Sequence, residues 1–431
     1  MKLSTIRNNR LFKGLSPLEL LTYLLLLLFA TILAFSWYRA INILYILTIT
    51  SFIKVLWTKH VHTPYSKESI ILVIFLLAYY AISAISLLWT ENLDAGWVGL
   101  AKKRGLLLFP LIFLLSDYSF LSSIRVRAIL HAFVFGLNIR FLYRLTLSLN
   151  NIFETNGTIS DLISPSFDCM HHTFLSMFTV LGLCFIFIEI LNNTKNNSFV
   201  YKIYEYTSII FLSLYTFFVQ SRMGLITIYL LIVIMAFVLF FKRGKIQCKY
   251  FAFSSVITCA LLIGLLSVLP QKTTRLSNTT QEISEGDYSD IRFEIWNNSI
   301  ITIKDNIPWG CGIGDQINEL ERHYIYLPPD AELRKHLFHS HNQFLSTVLT
   351  TGIMGLAFLI ILLVGPLLRI RKQNNLYYPY LIPLIAITIL NSMIDSILDW
   401  TEGTLFFGFF YCLFLLPTCS QDYQKDSIFT I

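Results

Sequence analysis

The chain has 431 residues, of which 55% are hydrophobic and only 14% charged, with a mean hydropathy of +0.63. Soluble domains carry about 25% charged residues, so the composition excludes an ordinary soluble fold. The net charge of +7 would point to nucleic acid in a soluble protein; here it is spread between apolar runs, and no nucleic-acid partner is expected.

In hydrocarbon the backbone must satisfy itself within helices or a closed barrel. Continuous apolar runs near 20 residues indicate helices, whereas a barrel would show short alternating segments. Twelve spans are predicted, near 18–37, 41–57, 69–89, 105–121, 127–149, 172–191, 203–219, 223–241, 250–269, 343–365, 376–393 and 403–418. The fourth is the weakest, being short, broken by Pro110 and ending at Asp117. Basic residues precede the first run, as in a signal peptide. No clear small-residue cleavage site follows and eleven more spans do, so it reads as an uncleaved first helix. With the N-terminus inside, the inside segments hold 18 Lys and Arg and the short outside loops 5: Arg39, Lys102, Lys103, Arg104 and Arg222. The expected fold is therefore an all-α polytopic membrane protein of about twelve transmembrane helices. Both termini lie inside and one large loop lies outside. Its parts are 1–269 (spans one to nine), 270–342 (the loop subdomain) and 343–431 (spans ten to twelve and a tail).

In chain order, Lys102, Lys103 and Arg104 add positive potential at the outer start of span four. Arg140 and Arg144 lie one turn apart on one face of span five, in its outer half. Arginine inside a span is expensive and invites a functional reading. The alternative is an ion pair with another span, where the acids are few: Glu189, Asp395 and Asp399. Arg222 sits in a very short outside turn, QSRMGLI. It could be a snorkelling interface arginine, though the basic asymmetry disfavours one there.

The outside loop opens with a polar stretch, QKTTRLSNTTQEISEGDYSD, read as a linker. Ser289–Asp305 then reads as an amphipathic helix, with Ile291, Ile295, Trp296 and Ile300 at near-helical spacing and Arg292 one turn before Trp296. NIPWGCGIGD, with Pro308, Gly310, Gly312 and Gly314, is a tight turn. Short helices near 315–325 and 330–338 lead to His339 and His341. This subdomain is too small for a core of its own and is expected to pack on the membrane helices. Ser340 and Asn342 are natural caps for the next helix, whose N-terminus offers N–H groups to an anion. Gly352 and Gly355 would allow close packing. Either histidine could be structural, and Arg292 a solvated helix charge.

Seven cysteines are scattered, at 169, 184, 248, 259, 311, 412 and 419, without C-x-x-C or zinc spacing. Cys169 and Cys311 both fall outside and could pair. There is no D-x-D, and Asp287 with Asp290 makes a poor metal site, so no metal or cofactor is expected. No internal repeat supports a transporter or flippase.

The outside face thus gathers a basic cavity with one titratable group. A diphosphate leaving group needs its charge neutralised, and arginine forks pair with phosphate oxygens. An acceptor hydroxyl needs a base with a pKa near the working pH, and histidine is the natural one. The set suits transfer of a glycan from a lipid diphosphate.

The chain resembles the O-antigen ligase family and the polymerases of that superfamily. The family's pattern is His, then Asn, Ser or Gln, nine residues, Gly, two residues and Gly, often followed by Thr. Here it is His341, Asn342, nine residues to Thr351, Gly352, Ile353, Met354 and Gly355, departing at Leu356. Ser221-Arg222 matches the earlier (S/T)-R signature. Arg292 with PWGCGIG matches the loop arginine before its P-x-G-x-G-like turn. The resemblance implies a GT-C-like fold with a large periplasmic loop, in the bacterial inner membrane. It implies metal-independent, inverting transfer of a glycan from undecaprenyl diphosphate to lipid A–core. Arg222 and Arg292 would take the diphosphate and His341 the acceptor hydroxyl. His339, Arg140, Arg144, Lys103, Arg104 and Asn342 would assist in substrate binding. A polymerase, with a second lipid-linked glycan as acceptor, is the alternative.

Overall fold

The computed structural model describes residues 11–58, 65–155, 167–192, 199–219, 221, 224–228, 291–324, 338–369 and 377–415, and among them there is no β-strand. Helix α1 (Pro17–Phe35) starts at a reciprocal cap. Ser16 Oγ accepts from the Glu19 N–H at 3.3 Å, the Glu19 carboxylate accepts from the Ser16 N–H at 2.9 Å, and Pro17 pre-sets the first turn. There follow α2 (Trp37–Thr58), α3 (Lys67–Ile85), α4 (Leu93–Lys102), α5 (Arg104–Leu115), α6 (Ser123–Thr155), α7 (His172–Asn192) and α8 (Phe199–Phe218). After them come α9 (Ile291–Asn306), α10 (Gln316–Tyr324), α11 (Gln343–Arg369), α12 (Tyr378–Ser392) and α13 (Thr401–Leu415).

Among the described residues, six stretches are long and apolar enough to cross a membrane: Pro17–Phe35, Tyr38–Leu56, Lys67–Leu88, Ser123–Thr155, His172–Ile190 and Gln343–Leu368. Shorter apolar helices stand at the places of spans four, eleven and twelve. Span four is the clearest departure: α5 has 12 residues with Pro110 inside. At 1.5 Å per residue it reaches roughly 18 Å, against a hydrocarbon core of about 30 Å. At the place of span seven a helix forms, α8, but it is not among the six. The expected spans at 223–241 and 250–269 fall outside the described residues apart from 224–228, as does the polar linker.

The chain forms two compact units, one of Met1–Leu137, Ile188–Asn196 and Ser289–Ile431, the other of Asn138–Phe187 and Asn197–Tyr288. In the first, α13 is buried on every side, Glu402 being its one residue outside the core, as an all-round apolar helix must be. Phe409 packs on Phe29 and Phe109 at ring distances of 4.8 and 5.4 Å, and Phe410 on Phe133 at 4.9 Å. The described part of the loop joins this unit: Ile295, Ile303, Cys311, Leu320 and Tyr324 form one apolar cluster with Leu349 of α11. Helix α9 forms where expected, but with a different inner face. Ile295, Ser299, Thr302 and Ile303 are buried while Ile300 is exposed. Five residues from Ile295, Ile300 lies about 140° round the helix; the polar Ser299 and Thr302 satisfy their hydroxyls on backbone carbonyls one turn back.

In the second unit Phe141 of α6 packs on Phe211, Tyr215 and Phe218 of α8 at 5.3 to 6.0 Å. Cys169 of this unit is a free, exposed thiol, and Cys311 of the first unit is a free, buried one.

Candidate functional site

Two glycine-bearing motifs of the sequence are halves of one joint. The turn after α9 lays its backbone against α11: the Cys311 N–H donates to Leu349 O at 2.8 Å, Gly312 to Thr350 O at 3.0 Å, and Ile353 back to Pro308 O at 3.0 Å. For this α11 breaks at Gly352, whose φ of 67° and ψ of −161° are non-helical. A β-carbon at Gly352 would lie 1.9 Å from Pro308 O, and one at Gly310 (φ 78°) 2.7 Å from the Gly352 nitrogen. Gly352 does permit close packing, against the backbone of the loop. The turn also grips the link between α3 and α4. Trp89 Nε1 donates to Gly310 O at 3.1 Å, and the N–H groups of Glu91 and Asn92 donate to buried Asp315 at 2.7 and 2.8 Å. One turn therefore fixes both the entry to α4, which ends in the lysines, and α11, which starts at the histidines.

His341 stands at the mouth of α11 with φ of 43°, a region non-glycine residues occupy at a cost of about 1–3 kcal/mol and mostly at functional sites. Its backbone is held from both sides: the N–H donates to His339 Nδ1 at 3.2 Å and the carbonyl accepts from Trp296 Nε1 at 3.3 Å. Its Nδ1 lies 3.8 Å from Asp395 Oδ1, and its ring centre 3.9 Å from that of His339. His339 Nδ1 accepts this hydrogen bond, so its neutral ring carries hydrogen on Nε2. Burial keeps the His339 pKa below the ordinary histidine value; Asp395 and Asp399 pull it up and Lys102 pushes it further down. His339, His341 and Asp395 have ligand atoms within 4.8 Å of one another. Such a set could hold a divalent cation through three ligands, or act as a base with its orienting acid.

Asn342 caps α11 as expected. Its Oδ1 accepts from the N–H groups of Phe344 and Leu345 at 2.9 and 3.1 Å, and its Nδ2 donates to Met393 O at 3.0 Å. This corrects two expectations. Asn342 is committed to the fold at both ends of its amide, and two of the helix N–H groups offered to an anion are already taken.

Beneath the histidines lies a buried polar network. Lys103, 3% exposed, pairs with Asp399 at 2.8 Å. Ser346 also donates to Asp399, and Gln343 Nε2 reaches Asp399, Tyr79 and Thr347 at 3.2 to 3.3 Å. Gln343 Oε1 accepts from the Leu398 N–H at 2.6 Å. Burial opposes the Asp399 charge, but the Lys103 ammonium and these hydrogen bonds outweigh it and hold its carboxyl below the usual range. Lys103, expected to touch substrate, instead braces the start of α11. Arg104 likewise donates to the Tyr45 hydroxyl at 2.6 Å.

Arg292 lies on α9 one turn before Trp296, which bonds the His341 carbonyl. Arg222 lies outside the described residues. Its neighbours are placed within the second unit: Ser221 Oγ accepts from the Gly224 N–H at 3.1 Å, and Gly224 backs onto Ser176 of α7 and Thr216 of α8. In that unit Arg140 and Arg144 converge on Asp168 at 2.9 and 3.4 Å, joined by the Tyr215 hydroxyl. Sequence reasoning missed Asp168 because it sought partner acids inside spans. It weighed Asp395 and Asp399 only as partners for those arginines; their signal was a short link between two spans holding two aspartates.

Residues 207–360 match the family model described as O-antigen ligase. That stretch, about a third of the chain, is similar to the O-antigen ligase family. No curated protein matches it. The family segment contains Arg222, Arg292, the Pro308–Gly314 turn, both histidines and Gly352, and ends before Asp395 and Asp399.

Proposed function

We propose that the chain is a multi-pass inner-membrane glycosyltransferase that moves a glycan from undecaprenyl diphosphate to lipid A–core at the periplasmic face, without a metal ion. The observation that carries this reading is the geometry of His341: a strained backbone clamped by Trp296 and His339, with Nδ1 facing Asp395. Hydrogen bonds of a catalytic base are often long before substrate binds, so 3.8 Å suits an orienting carboxylate. With Nδ1 turned to Asp395, Nε2 is the atom that accepts the proton of the acceptor hydroxyl. The acceptor oxygen attacks C1 of the donor sugar from the side opposite the diphosphate. The bond from C1 to the phosphate oxygen breaks, configuration inverts, and the electron pair leaves on undecaprenyl diphosphate. Arg292 and Arg222 neutralise that growing charge. Lys103, Arg104 and Asn342 serve as supports.

The test is reconstitution of the whole protein in vesicles with undecaprenyl-diphosphate glycan and lipid A–core, with and without chelator. Glycan on lipid A–core with chelator present is the expected product. Chain growth on undecaprenyl diphosphate without that product would make the protein a polymerase. Loss of transfer on chelation, restored by a divalent cation, would turn the His339, His341 and Asp395 group into a metal site. No transfer to either acceptor would end the glycosyltransferase reading.

A further inference from the structure

Lys102 and Lys103 are neighbours in sequence with opposite surroundings. Lys103 is buried and paired. Lys102, the last residue of α4, makes no ion pair among the described residues, although Glu402 lies within electrostatic reach. Its backbone is fixed, the carbonyl accepting from Thr404 Oγ1 at 2.8 Å. Its ammonium stands over the Trp400 ring, 4.3 Å from the centre. Such a contact orients a cation without cancelling its charge and is worth about 0.5–1 kcal/mol at an exposed site. The Trp400 ring in turn lies 5.9 Å from His339, which stacks on His341. A held positive charge, in no ion pair among the described residues, therefore stands one aromatic ring away from the histidine pair.

We propose that Lys102 is the specificity-determining residue for the acceptor: it binds an anionic group, phosphate or carboxylate, on the acceptor saccharide and so brings the neighbouring hydroxyl to His341. The inference rests on the glycosyl-transfer reading. The donor diphosphate falls to the arginines, whose forks match two oxygens at once. A lysine is a point charge that reads the presence of an anion more than its shape. The side chain was not singled out from sequence, where it is one of three adjacent basic residues.

The experiment measures transfer by the full chain in phosphatidylcholine vesicles at saturating donor, with native acceptor and with acceptor treated with phosphatase. Lys102→Met is expected to raise the KM for native acceptor about tenfold, the scale of one charge-assisted hydrogen bond. Its kcat should stay within about twofold, donor KM should be unchanged, and the preference for untreated acceptor should vanish. Lys102→Arg should restore most of the affinity. Glucose 6-phosphate should inhibit the native protein better than glucose, and equally in Lys102→Met. An unchanged acceptor KM in Lys102→Met, or equal inhibition by the two probes in the native protein, overturns the proposal. An effect of Lys102→Met seen only when anionic lipid is added also overturns it, since the lysine then reads the membrane surface. A native protein that transfers nothing would strike the glycosyltransferase reading, a failure distinct from an unaltered KM.

Discussion

His341 Nδ1 faces Asp395 Oδ1 at 3.8 Å, although the two residues come from the start of one helix and the end of another. A histidine whose Nδ1 is turned to a carboxylate presents Nε2 outward, and the carboxylate stabilises the imidazolium formed as it takes a proton. The first prediction follows from this unity. His341→Ala should lower transfer about 10²–10⁴-fold, the range for losing a general base. Asp395→Asn should lower it by a smaller factor, and the double variant should be no worse than His341→Ala alone, because groups that act as a unit lose activity together. Initial rates in reconstituted vesicles decide it, and multiplicative losses would separate the two residues.

The second prediction concerns pH. Burial holds the folded-state pKa of His339 below its unfolded value of about 6.5. Between those values the unfolded chain binds the extra proton, so stability rises with pH across that window. His339 should therefore cost nothing above about pH 6.5 and destabilise progressively as pH falls below it. Melting temperature in detergent should drop less steeply on acidification in His339→Gln than in the native protein. Parallel curves would show that His339 does not titrate differently on folding.

A third prediction tests the joint between the turn and α11. Gly352→Ala sets a β-carbon 1.9 Å from Pro308 O and forces alanine into a left-handed conformation, which alone costs about 1–3 kcal/mol. A loss of at least that size in denaturant midpoint is expected. Gly355, whose added β-carbon would meet the Thr351 hydroxyl on its own helix, lies outside the joint. Gly355→Ala should leave cross-links engineered between the turn and α11 intact, while Gly352→Ala should abolish them.

Much of this arrangement was legible in the sequence because it is local. Helix α9, the glycine turn and the cap at Asn342 each follow from short-range rules, and long apolar runs announce α1, α3, α7 and α11. The rest depends on side chains meeting across long separations. Nothing in KKR indicates that Lys103 would be buried on Asp399 and Lys102 left over Trp400. Nothing in the spacing of Asp168 ties it to Arg140. Helix α5 has the composition of a span without the length, with Pro110 inside it and an extended Ser116 ending it.

The fourth prediction concerns Arg292, one turn from the tryptophan that holds His341. Loss of one group stabilising a developing charge costs roughly 10²–10³ in rate. Arg292→Ala should lose that much with abundance intact, and Arg292→Lys should recover little because lysine lacks the fork. Full activity of Arg292→Ala in membranes would remove the residue from the diphosphate site.

The last prediction separates bracing from substrate contact at Lys103. Lys103 is 3% exposed and its ammonium is bonded to Asp399, which also accepts from Ser346 and Gln343. Removing one partner of a buried pair leaves an uncompensated charge and typically costs 3–5 kcal/mol. Asp399 keeps some contact with solvent, so Lys103→Met should cost about 3 kcal/mol, the lower end. Asp399→Asn can still accept from Ser346 and Gln343, so adding it to Lys103→Met removes the stranded charge and should recover most of the stability. If Lys103 is a brace, transfer should recover along with stability in the double variant. If Lys103 instead contacts the substrate, the double variant should be as stable as the native protein in denaturant yet remain inactive.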